Sequence, residues 1–173
     1  MAKALIVVDM LNDFVKEGGA LYFPESQDII PHIKKKIEEY RLNRLPIFWL
    51  CDSHRSNDKE FERFPAHCVS GSEGSRIIDE LKPLIHDDEK TIYKKRYSGW
   101  YNTFLKDVIA DYQIDTLEIV GVCTSICVMD TAGGAANRDI SIIIPKNCVA
   151  DFDSNMHDMA LERMEKLYGA KLV

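Results

Sequence analysis

No stretch of this sequence approaches the run of about 18 apolar residues that a membrane-crossing helix needs, and nowhere does positive charge accumulate. The 22 Lys and Arg are outnumbered by 28 Asp and Glu, for a formal net charge of −6. That balance argues against a nucleic-acid or anionic-membrane binder, which requires a basic face. The basic runs Lys34-Lys35-Lys36 and Lys94-Lys95-Arg96 are short, and the first reads as a solvated helix face. Cys51, Cys68, Cys123, Cys127 and Cys148 are odd in number and scattered, so they make neither a disulfide framework nor paired metal knuckles. Repeats, linkers and low-complexity segments are missing as well. Only five apolar residues separate Met1-Ala2-Lys3 from Asp9, too few for a signal peptide. The expectation is a cytoplasmic protein in a reducing setting, with one domain over residues 1–173.

Ala4-Leu5-Ile6-Val7-Val8 is a continuous apolar run ended by Asp9, as suits a strand buried on both faces of a parallel sheet. Further strands are predicted at Pro46 to Cys51, Thr91 to Tyr93, Thr116 to Val120, Ile140 to Ile144 and Ala170 to Val173. Helical periods occupy Asp28 to Leu42, Ser75 to Leu84, Tyr101 to Tyr112, Ser125 to Asn137 and Ser154 to Leu167, the last capped by Ser154. Ser53 to Gly74 is polar and aperiodic, a long loop of the kind that often carries function. The predicted fold is α/β: a doubly wound, Rossmann-like, six-stranded parallel sheet with helices on both faces. Ligands of such sheets bind beyond the carboxyl ends of the strands, where Asp9, Asp52, Lys94 and the turn at Cys127 all fall.

Cys127 follows a strand, a glycine and a tight turn, at a helix N-terminus whose free N–H groups favour a thiolate. It reads either as a nucleophile or as a small buried apolar residue. With Asp9 accepting its proton and Lys94 orienting the carboxylate, it makes a workable triad; separately, Asp9 would be a cap and Lys94 a surface lysine. Asp52, His54 and His67 flank the long loop and form a donor set for Zn²⁺, Mn²⁺ or Fe²⁺. Glu60 reads equally as a fourth ligand or an exposed glutamate. His32, His86 and His157 read as surface residues. Phe14, Tyr97, Trp100 and Tyr101 are positioned to line a pocket for a flat ligand, or to pack in the core.

Three segments then carry a resemblance. Ala4 to Phe14, Lys94-Lys95-Arg96-Tyr97-Ser98-Gly99-Trp100 and Gly121-Val122-Cys123-Thr124-Ser125-Ile126-Cys127-Val128 resemble, in order, the aspartate, lysine and nucleophile motifs of the isochorismatase-like cysteine hydrolases. The resemblance implies Asp9, Lys94 and Cys127 as the triad, a cis Val122–Cys123 peptide, and an oxyanion hole from the backbone N–H groups of Cys123 and Cys127. Asp52, His54 and His67, with the segment Phe64 to Cys68, resemble the ion site of the nicotinamidase/pyrazinamidase group. Ser125 stands where many relatives have aspartate, and Gly99-Trp100 where Ala-Phe is common.

The resemblance implies an amidase that converts nicotinamide, and pyrazinamide, to the acid and ammonia through a Cys127 thioester. Phe14 and Trp100 would pack on the substrate ring, with Tyr97 nearby, and the metal would orient the ring nitrogen. Other readings are hydrolysis of another small amide, a carbamoyl compound or isochorismate, and a non-catalytic small-molecule-binding module. A homo-oligomer is also expected from the resemblance.

Overall fold

The opening apolar run does form a central strand. The computed structural model describes residues 2–83 and 88–173, and in it β1 (Lys3–Val8) lies between β2 (Ile47–Asp52) and β4 (Thr116–Val122). The sheet continues through β3 (Glu89–Lys94) on one side and β5 (Ser141–Ile144) and β7 (Lys171–Leu172) on the other, in the order β3-β2-β1-β4-β5-β7. Every pairing is parallel. These are the six expected strands. A seventh, β6 (Val149–Ala150), pairs with the end of β4 and escaped the sequence reading because two residues set up no period.

Period-two alternation divides the buried strands between two cores. Ala4, Ile6, Val8, Phe48, Leu50, Leu117 and Ile119 face one layer. Leu5, Val7, Ile47, Trp49, Cys51, Val120 and Val122 face the other. The covering helices are α1 (Asn12–Val15), α2 (Glu25–Asp28), α3 (Ile30–Leu42), α4 (Leu105–Asp111), α5 (Met129–Ala136) and α6 (Ser154–Tyr168). Ile33, Ile37 and Tyr40 of α3 seat in the second core, and Leu161 and Met164 of α6 in the first.

Several boundaries differ from expectation for local reasons. The helix predicted over Ser75 to Leu84 is, among the described residues, only a 3₁₀ turn at Asp79–Leu81; residues 84–87, including His86, lie outside the description. The helix predicted from Tyr101 begins at Leu105, because Asn102 takes a φ of 51° and Thr103 Oγ1 accepts from the Leu105 N–H. Asp153, not Ser154, caps α6, accepting from the N–H groups of Asn155 and Met156. No helix among the described residues is long and apolar enough to cross a membrane.

Candidate active site

Asp9 follows β1, Asp52 and Lys94 are the last residues of β2 and β3, and Cys127 lies in the turn after β4. Because these four strands are adjacent, their ends converge. One glycine makes the approach possible: Gly121 has a φ of 114°, and a Cβ there would fall 2.0 Å from Val8 O. Any side chain would push β4 from β1 and carry Cys127 away from Asp9.

Beyond Val122–Cys123, which is a cis peptide, the chain makes a π-helical turn over Thr124–Val128 before α5. The N–H groups of Ile126 and Val128 both donate to Cys123 O, at 3.1 and 3.2 Å. Such wide turns are frequent at functional sites. The helix predicted from Ser125 therefore begins with this turn, and α5 proper starts at Met129.

Lys94 is the hub. Its Nζ lies 2.7 Å from Asp9 Oδ2, 2.5 Å from Asp52 Oδ1 and 3.4 Å from Cys127 Sγ. Asp9 and Lys94 are each 1% exposed, and Cys127 5%. The Asp52 N–H donates to Asp9 Oδ1 at 2.8 Å, and an oxygen of Asp9 comes within 4.8 Å of Cys127 Sγ. Burial, reinforced by the Asp52 charge, pushes the Asp9 carboxyl up to about 6. Burial opposes the Lys94 ammonium, but Asp52 and Asp9 outweigh it and hold the lysine well above its ordinary range. The Cys127 thiol is pushed up by burial, with Lys94 pulling the other way. At rest the proton belongs to sulfur, beside a carboxyl able to accept it and an ammonium that favours the thiolate.

Next to this group stand Asp52, His54 and His67, whose ligand atoms lie within 4.8 Å of one another. Asp52 Oδ2 is 3.5 Å from His54 Nε2 and 3.9 Å from His67 Nε2, and Glu60 Oε1 is 3.9 Å from His67 Nε2. His67 Nδ1–H donates to Pro65 O at 2.8 Å, leaving the Nε2 lone pair free. All four side chains are buried. Neither ring nitrogen of His54 makes a well-aligned hydrogen bond, and Glu60 Oε2 has no partner. Buried, unmatched nitrogen and carboxylate donors around one point fit a divalent cation.

A cavity of about 400 Å³ opens onto both groups and is lined by Phe14, Asp52, Glu60, Phe64, His67, Tyr97, Cys123, Ile126, Cys127 and the loop residues Ala20 to Tyr22, with Phe152 at its edge. Phe14, Phe61 and Phe64 stand edge-on to the His67 ring. Trp100 is not among the lining residues, contrary to the sequence expectation. Its indole Nε1–H donates to Thr131 O at 2.8 Å and its ring packs against Gly134 beneath Arg138, outside the cavity.

Three polar residues escaped the sequence reading. Asp58 lies against His54 and Arg96. Asp151, buried at the end of β6, accepts from the Ser125 N–H at 2.7 Å. Recognising β6 would have placed Asp151 at a strand end like Asp9. His157, expected at the surface, is half-buried, with Nδ1 2.9 Å from Thr124 Oγ1.

Comparison with known proteins agrees with this fold. Residues 3–173 match the Isochorismatase domain. The structure is similar to that of the nicotinamidase/pyrazinamidase PncA from Bacillus subtilis, with TM-score 0.96 and 33% identity over 100% of both chains. It is also similar to the pyrazinamidase of Pyrococcus horikoshii in complex with zinc, with TM-score 0.91 and 30% identity over 100% of this chain and 99% of that one. A third likeness is to N-carbamoylsarcosine amidase from Thermoplasma acidophilum, with TM-score 0.89 and 35% identity over 99% of this chain and 95% of that one. With a match that spans residues 3–173 and so runs through all seven strands, the chain belongs to the isochorismatase family and has its hydrolase fold.

Proposed function

We propose that this protein is a nicotinamidase, a cysteine amidohydrolase that converts nicotinamide to nicotinate and ammonia and also accepts pyrazinamide. The observation that carries the reading is one aromatic-walled cavity lined both by Cys127, with Lys94 and Asp9 buried behind it, and by Asp52, Glu60 and His67 of the metal-donor set.

Asp9 takes the proton of Cys127, and the sulfur attacks the carboxamide carbon to form a C–S bond. The oxyanion accepts from the backbone N–H groups of Cys123 and Cys127, where a single donor can be worth roughly 3 kcal/mol. As the tetrahedral centre collapses, the C–N bond breaks and Asp9 returns its proton to the leaving ammonia. Water then cleaves the thioester to nicotinate, with Asp9 again accepting a proton, and Cys127 is restored. Lys94 keeps its charge throughout and balances the carboxylates and the thiolate. Phe14 and Tyr97 flank the ring. A Zn²⁺ ion on Asp52, His54, His67 and Glu60, or Mn²⁺ or Fe²⁺ on the same donors, would supply a Lewis-acidic anchor for the ring nitrogen.

The likeness to an N-carbamoylsarcosine amidase at 35% identity favours a second reading, in which the same thiol acts on another small amide or carbamoyl compound.

The test is ammonia release from nicotinamide and from pyrazinamide, before and after chelation and metal return, alongside Cys127→Ala. Release that falls with chelator, returns with zinc and drops by orders of magnitude in Cys127→Ala supports the reading. No release by the zinc-loaded wild type refutes it, and a panel of carbamoyl compounds then examines the second reading. Iodoacetamide separates either enzyme from a binding module: the first adduct is expected on Cys127, at a rate rising with pH as the buried thiol ionises.

A further inference from the structure

The Asp58 carboxylate is spent entirely within the protein, on groups that surround the candidate metal site. The chain leaves β2 at Asp52, passes His54 and turns back, so that Asp58 caps the 3₁₀ turn Lys59–Glu62. Its side chain is only 6% exposed. Oδ2 lies 3.2 Å from His54 Nδ1, while Oδ1 accepts the Glu60 N–H at 3.0 Å. Arg96 Nη1 clasps both oxygens, at 3.1 and 3.2 Å. One carboxylate therefore touches the far side of one candidate ligand and the backbone of another.

We infer that Asp58 is the positioning residue of this metal site, holding His54 with Nε2 toward Asp52 and His67 while holding Glu60 within reach of the same point. The inference rests on the metal site proposed above. An imidazole has two nitrogens, and the partner of one decides which way the other points. With the Asp58 carboxylate 3.2 Å from Nδ1, a charge contact rather than an aligned hydrogen bond, the Nε2 side of the ring faces Asp52 Oδ2 at 3.5 Å, where His67 Nε2 also stands. Capping does the same for Glu60: the bond from its N–H to Asp58 fixes the first residues of the turn and with them the origin of a buried side chain whose Oε2 has no partner.

Asp58 also groups with His54 and Glu60 closely enough to be considered a ligand itself. The Arg96 guanidinium decides against that. A cation on Asp58 would sit beside a fixed positive charge already bonded to both oxygens, whereas a cation on Nε2 of His54 lies across the ring from it.

The experiment is zinc titration of purified full-length protein against a chromophoric chelator, for wild type, Asp58→Ala and Asp58→Asn, with the Tm of each metal-free protein as a check on folding. Loss of an outer carboxylate partner typically weakens metal binding about 10- to 100-fold. That loss is expected for Asp58→Ala, and a smaller one for Asp58→Asn, whose amide oxygen still caps Glu60. Co²⁺ absorption at saturation is expected to keep the wild-type band, since the ligands themselves are unchanged.

Equal zinc affinity in wild type and Asp58→Ala, or in Asp58→Asn if the alanine variant does not fold, overturns the inference and leaves the metal site standing. A different Co²⁺ band at saturation also overturns it, making Asp58 a ligand. Wild type that binds neither metal overturns the site and the inference together.

Discussion

Asp52 turns Oδ1 to the Lys94 ammonium at 2.5 Å and its other oxygen toward the two histidines. The nucleophile group and the metal donors are thus joined through one carboxylate, and Lys94 holds both halves in register. Lys94→Met keeps the unbranched stem, one atom shorter, and removes the charge. Asp9 and Asp52 would then face each other, buried, without their shared cation. Removing one partner of a buried pair costs about 3–5 kcal/mol, and for a chain of this size each kcal/mol lowers Tm by roughly 2–4 °C. The expected result is a thermal midpoint lowered by roughly 6–20 °C in the metal-free protein, read by calorimetry. A Lys94→Met protein that melts with the wild type would mean that the lysine does not hold this cluster together.

A second buried charge cluster supports the far end of the sheet. Glu118 of β4 is 3% exposed and accepts from the Tyr40 hydroxyl at 2.8 Å, with Lys36 Nζ 2.9 Å from its other oxygen. Burial, then the Glu118 charge, pushes the Tyr40 phenol far above its ordinary value near 10. The folded protein therefore keeps this proton where the unfolded chain releases it. The stabilisation is complete below about pH 10 and is lost as pH climbs through the native value. Tyr40→Phe is expected to cost about 1–3 kcal/mol at pH 7, because Glu118 loses a donor without gaining water. Its stability should also decline less steeply than that of the wild type above pH 10. Urea unfolding at pH 7 and at pH 10.5 measures both effects, and parallel pH slopes for the two proteins would rule out the linkage.

Strands buried on both faces write their positions plainly in sequence. Ala4 to Val8 and Phe48 to Leu50 could be little else, and the polar residues that end such runs, Asp9 and Asp52, were found for that reason alone. Lys94 and Cys127 stand out at strand ends as well, but each keeps a second reading there, a surface lysine and a small buried residue, and motif resemblance decides between the two. Helix edges were lost where side-chain bonds decide them: Asp153 takes the cap from Ser154, and Asn102 delays α4. Asp58 was invisible because its role comes from folding back on His54 and from Arg96, 38 residues away. Trp100 was misplaced because chain proximity to Lys94 does not reveal the direction of a ring.

That direction has a partner in sequence. A Cβ at Gly134 would lie 2.2 Å from Trp100 Cδ1, so the indole occupies the space that an alanine on α5 would fill. Trp100 is the bulkiest of side chains, and Gly134 makes room for it. The ring is held by its hydrogen bond to Thr131 O and by Arg138, whose guanidinium carbon lies 4.5 Å from the ring centre, so it cannot swing away freely. Gly134→Ala alone is expected to destabilise by about 1–3 kcal/mol through overpacking, despite the better helix propensity of alanine. Combined with Trp100→Phe, the same substitution should become nearly neutral, leaving a coupling of about 1 kcal/mol or more in a double-mutant cycle. Since Trp100 lies outside the cavity, amide turnover by the folded variants should stay within a few-fold of wild type. Additive stability losses would show that the two residues do not compete for space, and a KM raised by Trp100→Phe alone would return the indole to the substrate wall.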